Sequence, residues 1–333
     1  MRNLLIITII ILLTACSAHK GKLLQRAGYI EAGDKKISLS ASPKNTLSIS
    51  YFQCGGICIK AGNDVVLVDP FASNPSLLSK VKIDTAAIGL IMKGINPTDI
   101  KAILVSHSHY DHLLDVPHIM NSYCPPTTKL FANHTGVQIA KRLQVDSTKI
   151  IDVEQPAGFT SVSGNIRVLP IISSHPPHIG NTKLYDGEYR PKTKPGQKSF
   201  WRCGKPYAYL IDIMDGAEVS FRLMVQTSAS NEASTNLPDS LLKAKGVDVL
   251  VMPVALYSKT PGYPSSVLNI IKPRYSIIGH WENFFIPYKK LTEKPHQVSG
   301  GTDVMAFAKT MEQLVGKDKF RIPMPGSSIT IEY

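Results

Sequence analysis

The sequence predicts an α/β fold, one large domain of layered sheets and helices, from three observations. Short β-branched runs alternate with helical stretches along most of the chain, as in domains whose sheets are covered by helices. The 333 residues are 43% hydrophobic and 19% charged, an ordinary balance for a folded body that argues against disorder or a membrane bundle. No fixed-period repeat and no internal linker divides the chain into several domains.

The first element stands apart. Arg2 precedes an apolar run from Leu4 to Leu13, and small residues then lead to Cys16. About ten helical residues span roughly 15 Å, short of the ~30 Å core of a bilayer. A positive start, a short apolar core and a small-residue end make a secretory signal. Leu13-Thr14-Ala15-Cys16 also resembles the lipobox of bacterial lipoproteins. That resemblance implies a signal peptide over residues 1–15, cleavage before Cys16 and lipid attachment to its sulfur. The protein would then sit in the bacterial cell envelope, tethered to a membrane and facing the periplasm or the surface, with the outer membrane as the expected one. Residues 16–44 are polar and lysine-rich and read as the tether; residues 45–333 read as the folded domain.

Within that domain, Leu47–Phe52 alternates like a strand and Val65–Val68 is a short β-branched run ending at Asp69-Pro70. A helix is expected near Leu77–Val81, and a buried strand over Ile100–Val105. Strands follow at Lys129–Ala132, Arg167–Ile172, Tyr207–Ile213, Val219–Gln226, Val247–Met252 and Tyr275–Ile278. Asp215-Gly216 between two of these predicts a hairpin over Tyr207–Gln226. Helical patterns fall near Gly136–Leu143, Leu237–Ala244, Ser265–Ile271 and Asp303–Leu314. The stretch Pro176–Gly204 is rich in Pro, Gly, Lys and Arg, with Tyr185, Tyr189, Phe200 and Trp201 among the charges. A loop of that length in a compact domain is usually functional or disordered, and its position after a candidate ligand favours a lid or substrate-binding loop.

The net charge is +12, which favours anionic partners such as phosphate-bearing lipids, polymers or nucleotides; many envelope proteins are basic without one. With Cys16 lipidated, Cys54, Cys58, Cys124 and Cys203 remain, and three pairings or free thiols stay open.

The chemistry concentrates in Ser106-His107-Ser108-His109-Tyr110-Asp111-His112, directly after the apolar strand. Ligands in open α/β folds gather at the carboxyl ends of strands. Three imidazoles and a carboxylate within six residues are the ligands preferred by zinc and similar divalent ions. The run matches His-x-His-x-Asp-His and resembles the metallo-β-lactamase superfamily. Val68-Asp69-Pro70-Phe71, His175 after the strand Arg167–Ile172, and His280 after Tyr275–Ile278 extend the resemblance. Tyr110 and the block His280-Trp281-Glu282-Asn283-Phe284 look most like the branch holding N-acyl phosphatidylethanolamine phospholipase D and ascorbate-phosphate lactonases.

The resemblance implies a four-layer αββα sandwich. It implies one metal on His107, His109 and His175, and a second on Asp111, His112 and His280, with Asp111 central to catalysis. Zinc is the expected ion, one or two per chain, with manganese or iron(II) as alternatives. A metal lowers the pKa of bound water to about 7, and two ions about 3.5–4 Å apart can share the nucleophile. His178 reads as a residue behind the ligands or facing substrate. His118, His134 and His296 read as structural or exposed, and His19 as part of the tether.

One departure stands out. The family places a bridging aspartate after a hairpin strand, where this chain has Val225-Gln226-Thr227-Ser228. A threonine hydroxyl is a far poorer ligand, so the second ion is in question. Glu282 and Glu232 are candidate replacements, although a solvated glutamate is the plainer reading of each.

The expected activity is hydrolysis of a phosphodiester or phospholipid-like substrate, probed against two rivals. One is a lactone or β-lactam hydrolase; the other is a non-catalytic, metal-binding envelope lipoprotein. The expected partners are an anionic small-molecule or lipid substrate and a membrane reached through the N-terminal lipid. Nucleic acid is not expected, as no recognition module is visible.

Overall fold

The structure, a computed structural model, describes residues 16–155, 158–298 and 302–333. The signal peptide expected over residues 1–15 lies outside the described residues. Two eight-stranded sheets stack face to face, with helices on both outer surfaces. This is the four-layer αββα sandwich.

The first sheet runs Lys35–Ser38, Ser328–Glu332, Thr46–Tyr51, Ile57–Ala61, Asp64–Val68, Ile100–Leu104, Lys129–Ala132 and Ile150–Asp152. The second runs Ile30–Glu31, Phe320–Pro323, Tyr275–Gly279, Val249–Pro253, Glu218–Val225, Tyr207–Asp215, Ile166–Ile172 and Thr160–Ser161. Central strands are buried on both faces, as Asp64–Val68 and Val249–Pro253 show, because helices cover one side and the facing sheet the other. Val66, Val68, Leu104 and Phe131 meet Tyr209, Ile211, Leu223 and Val251 in the core between the sheets. Separate apolar clusters seat the helices on each outer face.

The expected hairpin at Asp215-Gly216 is present, with Tyr209 paired to Val225. The helix expected near Leu77–Val81 is absent; those residues form turns, and Leu77 and Leu78 are exposed. The helix starts later, at Thr85–Met92, where Asp84 accepts from the Ala86 and Ala87 amides. That side chain satisfies donors that open a helix. The single helix expected over Leu237–Ala244 is split into Glu232–Asn236 and Asp239–Ala244, with Pro238 between them.

The tether expected over residues 16–44 is corrected. Residues 16–26 are helical. Ser17 and Leu24 are buried, and Ser17 Oγ donates to the Gln297 carbonyl at 2.6 Å. A side chain at Gly21 would collide with the Pro295 carbonyl, so the helix lies directly on that segment. Ile30–Glu31 then pairs with Phe320–Pro323, and Lys35–Ser38 with Ser328–Glu332. Polar, lysine-rich composition hid short edge strands whose partners lie almost three hundred residues away.

In the second sheet Arg222 and Asp212 are both buried and joined by two hydrogen bonds of 2.6 and 2.9 Å. Removing one partner strands the other charge in the interior. Asp212→Ala is expected to cost roughly 3–5 kcal/mol in urea unfolding; a loss under about 1 kcal/mol would show that the site rehydrates freely.

Candidate metal centre

The strand Ile100–Leu104 delivers the histidine run to the edge of the sandwich. Its first link beyond the strand is Ser106, whose amide and hydroxyl donate to Asp69 at 2.8 and 2.5 Å. His107 follows outside regular structure and His109 in extended backbone, and Tyr110–Leu113 forms a single helical turn that presents Asp111 and His112. His175 arrives from the end of Ile166–Ile172 and His280 from the end of Tyr275–Gly279. A β-carbon on Gly279 would lie 2.8 Å from the Gly55 Cα, so glycine is what allows the two loops to meet there.

The structure brings all six expected ligands together in two groups. The rings of His107, His109 and His175 form a triangle with centroids 4.9, 5.0 and 5.0 Å apart. The ligating atoms of Asp111, His112 and His280 lie within 4.8 Å of one another. Asp111 Oδ2 is 3.5 Å from both His112 Nε2 and His280 Nε2.

In four of these imidazoles one nitrogen is already committed, which leaves the other for an ion. His109 Nε2 lies 3.0 Å from the Leu184 carbonyl and His175 Nδ1 2.7 Å from the Pro176 carbonyl. A carbonyl only accepts, so each of those nitrogens carries the proton and the opposite one holds a lone pair. His112 Nδ1 lies 2.8 Å from Asp69 Oδ2, and His107 Nδ1 lies 3.0 Å from Ser106 Oγ. His107 Nε2 is buried with no hydrogen-bond partner. A buried polar atom left unpaired is costly; here it faces the other ligands, and a divalent cation satisfies it. The residues fit a metal.

The charges agree. Burial, with neighbouring His112, His109 and His175, holds His107 well below its ordinary pKa. Burial lowers His109 to about 4 and also lowers His175 strongly. These three are therefore neutral at pH 7, the state a ligand requires. Burial opposes charge on His112, but Asp111 and Asp69 outweigh it and push the pKa up to about 10. Burial likewise opposes ionisation of Asp111, yet His112 and His280 hold its carboxyl well below the usual range. Two buried carboxylates around His112 form a place where positive charge is favoured.

Asp69 and Ser106 were legible only as landmarks, yet they aim the ligands. Asp69 has a left-handed backbone, φ 42°, and ties the Ser106 amide, the Ser106 hydroxyl and His112 into one arrangement. Asp69→Asn is expected to weaken metal affinity roughly 10–100-fold with the fold intact by circular dichroism; unchanged affinity in a competitive metal titration contradicts this role.

Thr227 lies at the base of the site, buried, with Oγ1 2.6 Å from Ser106 Oγ. Its hydroxyl supports Ser106, so no carboxylate comes from this strand end. Glu232 is exposed on a helix. Glu282 corrects the expectation of a solvated side chain. It is fully buried, accepts from Tyr51 Oη at 2.7 Å and the Trp281 amide at 3.2 Å, and binds the Cys54 amide. Tyr51 reaches it from the facing sheet, a neighbour that sequence spacing does not show.

The loop 176–204 lies across the site, mostly without regular structure. Phe200 and Trp201 anchor it, and the Cys203 carbonyl accepts from the Ser108 amide at 2.9 Å. His178 in this loop stacks 4.7 Å from His175. The Leu184 amide donates to His178 Nδ1 at 3.0 Å, so in the neutral ring the proton sits on Nε2. Tyr110 packs between Phe71 and Phe284 beside the site. Of the basic groups in the loop, Lys198 Nζ lies 5.7 Å from the rings of both Tyr110 and Phe285 and donates to the Leu77 carbonyl. Lys183 pairs with Asp186 and Lys205 with Glu154.

His118 and His134 belong to outer helices, His19 to the N-terminal helix, and none joins the cluster. Cys54, Cys58, Cys124 and Cys203 are all free. Cys16 opens the described chain and is exposed. Among the described residues, no helix is long and apolar enough to cross a membrane.

Residues 65–209 match the family described as the β-lactamase superfamily domain, a span that includes the histidine run and His175 but ends before Thr227 and His280. No curated protein matches the sequence. Among solved structures, Igni18, a metallo hydrolase from the archaeon Ignicoccus hospitalis, is similar at 16% identity and TM-score 0.54, covering 86% of this chain and 99% of its own. A possible metal-dependent hydrolase from Veillonella parvula is similar at 13% identity and TM-score 0.51, with 86% and 99% covered. A variant of CmlA, a β-hydroxylase from Streptomyces venezuelae, is similar at 12% identity and TM-score 0.52, with 88% and 55% covered. At these identities the likeness establishes architecture. With two stacked sheets and the histidine run at a strand end, the chain has the metallo-β-lactamase fold, and its residues 65–209 match the β-lactamase superfamily domain.

Proposed function

We propose that the protein is a metal-dependent hydrolase of the cell envelope, acting on an anionic phosphodiester or phospholipid-like substrate. The observation that carries the hydrolase reading is the set of neutral imidazoles, with the spare nitrogens of His109 and His175 fixed by carbonyls. His107, His109 and His175 would hold a divalent ion there, which would supply Lewis acidity at neutral pH. The chain's own residues do the rest. Asp111, 3.5 Å from both His112 and His280, gives the site a fixed negative charge that holds these two imidazoles in place. His178 Nε2–H is available as a donor toward a leaving group beside His175. Lys198, above Tyr110 and Phe285, favours an anionic substrate with an apolar part. The net charge of +12 points the same way.

The envelope reading rests on the lipobox-like Leu13-Thr14-Ala15-Cys16. Lipid on Cys16 would place the anchor at the start of a helix packed on the segment that follows His280.

Purified protein loaded with zinc or manganese is expected to release product from a generic phosphodiester. No turnover on phosphodiesters beside clear turnover on a lactone overturns the substrate assignment. His178→Ala is expected to lower turnover about 10²-fold with metal content unchanged; loss of metal in this variant would make His178 a ligand instead.

A further inference from the structure

The second metal position lacks the carboxylate that Thr227 replaces, and the structure places a different group beside it. Cys54 is fully buried and free. Its sulfur and the ligating atoms of His280 and Glu282 all lie within 4.8 Å of one another. His280 also belongs to the group formed with Asp111 and His112, so the two groups share one histidine and lie side by side. Glu282 is engaged by Tyr51, the Trp281 amide and the Cys54 amide. The group that remains free for a cation is the thiol. Cys54 and His280 both adopt left-handed backbone, φ 51° and 56°, at the point where Gly279 lets their loops touch.

We propose that Cys54 serves as a thiolate ligand of the second metal ion, completing the set Asp111, His112 and His280. This rests on the metal reading above and deepens it. On loading, the sulfur–hydrogen bond is exchanged for a sulfur–metal bond and the proton leaves to solvent, as happens when a metal takes a cysteine. Thiolate suits zinc and cobalt(II) and shifts preference away from manganese. Cys203, whose sulfur lies within 4.8 Å of the ligating atoms of His107 and His109, is the rival; its position already has three imidazoles and lacks nothing.

The full chain is titrated with cobalt(II) while the near-ultraviolet sulfur-to-cobalt charge-transfer band is followed. The band is expected to grow with the second equivalent, to vanish in Cys54→Ser and to persist in Cys203→Ser. A band that survives in Cys54→Ser, or two bound equivalents in the wild type without a band, overturns the assignment while leaving the metal reading standing. Failure to bind any cobalt overturns both. X-ray absorption of the zinc-loaded wild type needs no variant: a sulfur scatterer is expected at about 2.3 Å, and its absence overturns the proposal even if Cys54→Ser does not fold.

Discussion

Replacing Asp111 by asparagine is expected to lower turnover roughly 10³-fold or more, within the range of losing a positioned acid–base group or metal ligand. The carboxylate lies 3.5 Å from both His112 and His280, so it influences both at once. The amide keeps the shape and removes the charge. His112, raised by Asp111 and Asp69, would keep only the second of these partners. The expected readout is a fall in turnover together with loss of one bound metal equivalent, while the far-ultraviolet circular dichroism stays that of the wild type. Turnover within threefold of wild type, with full metal content, would remove Asp111 from the chemistry.

The second large effect is on the stability of the metal-free protein against pH. His109 titrates near 4 in the folded state against an ordinary value of 6.5. Between those values the unfolded chain binds a proton that the folded chain refuses, so stability falls as pH drops through this window. The size is about 3 kcal/mol for His109 alone, and His107 and His175 act in the same direction. Asp115 opposes them: burial raises its pKa to about 6, so its contribution is complete at low pH and lost as pH rises through 6. One opposing group against three histidines leaves a net acid loss. His112, pushed up to about 10, contributes stability that is full below 6.5 and declines as pH rises toward 10. The metal-free protein is therefore expected to be most stable near pH 6.5 and weaker on both sides. Urea unfolding at pH 4.5, 6.5 and 9 checks this; a curve that rises steadily from 6.5 to 9 contradicts the assignment of His112.

What could be read from the sequence follows physical range. His107, His109, Asp111 and His112 sit within six residues at the end of a buried strand, so their joint placement is local and visible. His175 and His280 follow strands with strong β-branched runs, so their position at the same sandwich edge comes from fold class. Asp69 was visible as a marker but not as the acceptor that orients His112, since that bond crosses from one strand end to the next. Glu282 and Cys54 were not legible as neighbours. Their contact depends on Tyr51 reaching across from the facing sheet and on Gly279 admitting Gly55, and neither leaves a local pattern. Residues 16–44 misled for a related reason: edge strands with alternating exposure, such as Lys35–Ser38, look like a solvated linker until their partners are known.

Bound metal per chain decides whether these residues form a metal centre. Purified full-length protein is stripped with chelator, reconstituted with zinc, dialysed and assayed for bound metal per chain. Two equivalents are expected, with His107→Ala retaining one at most. No bound zinc, with manganese and iron(II) equally absent, would show that the histidine cluster is not a metal centre.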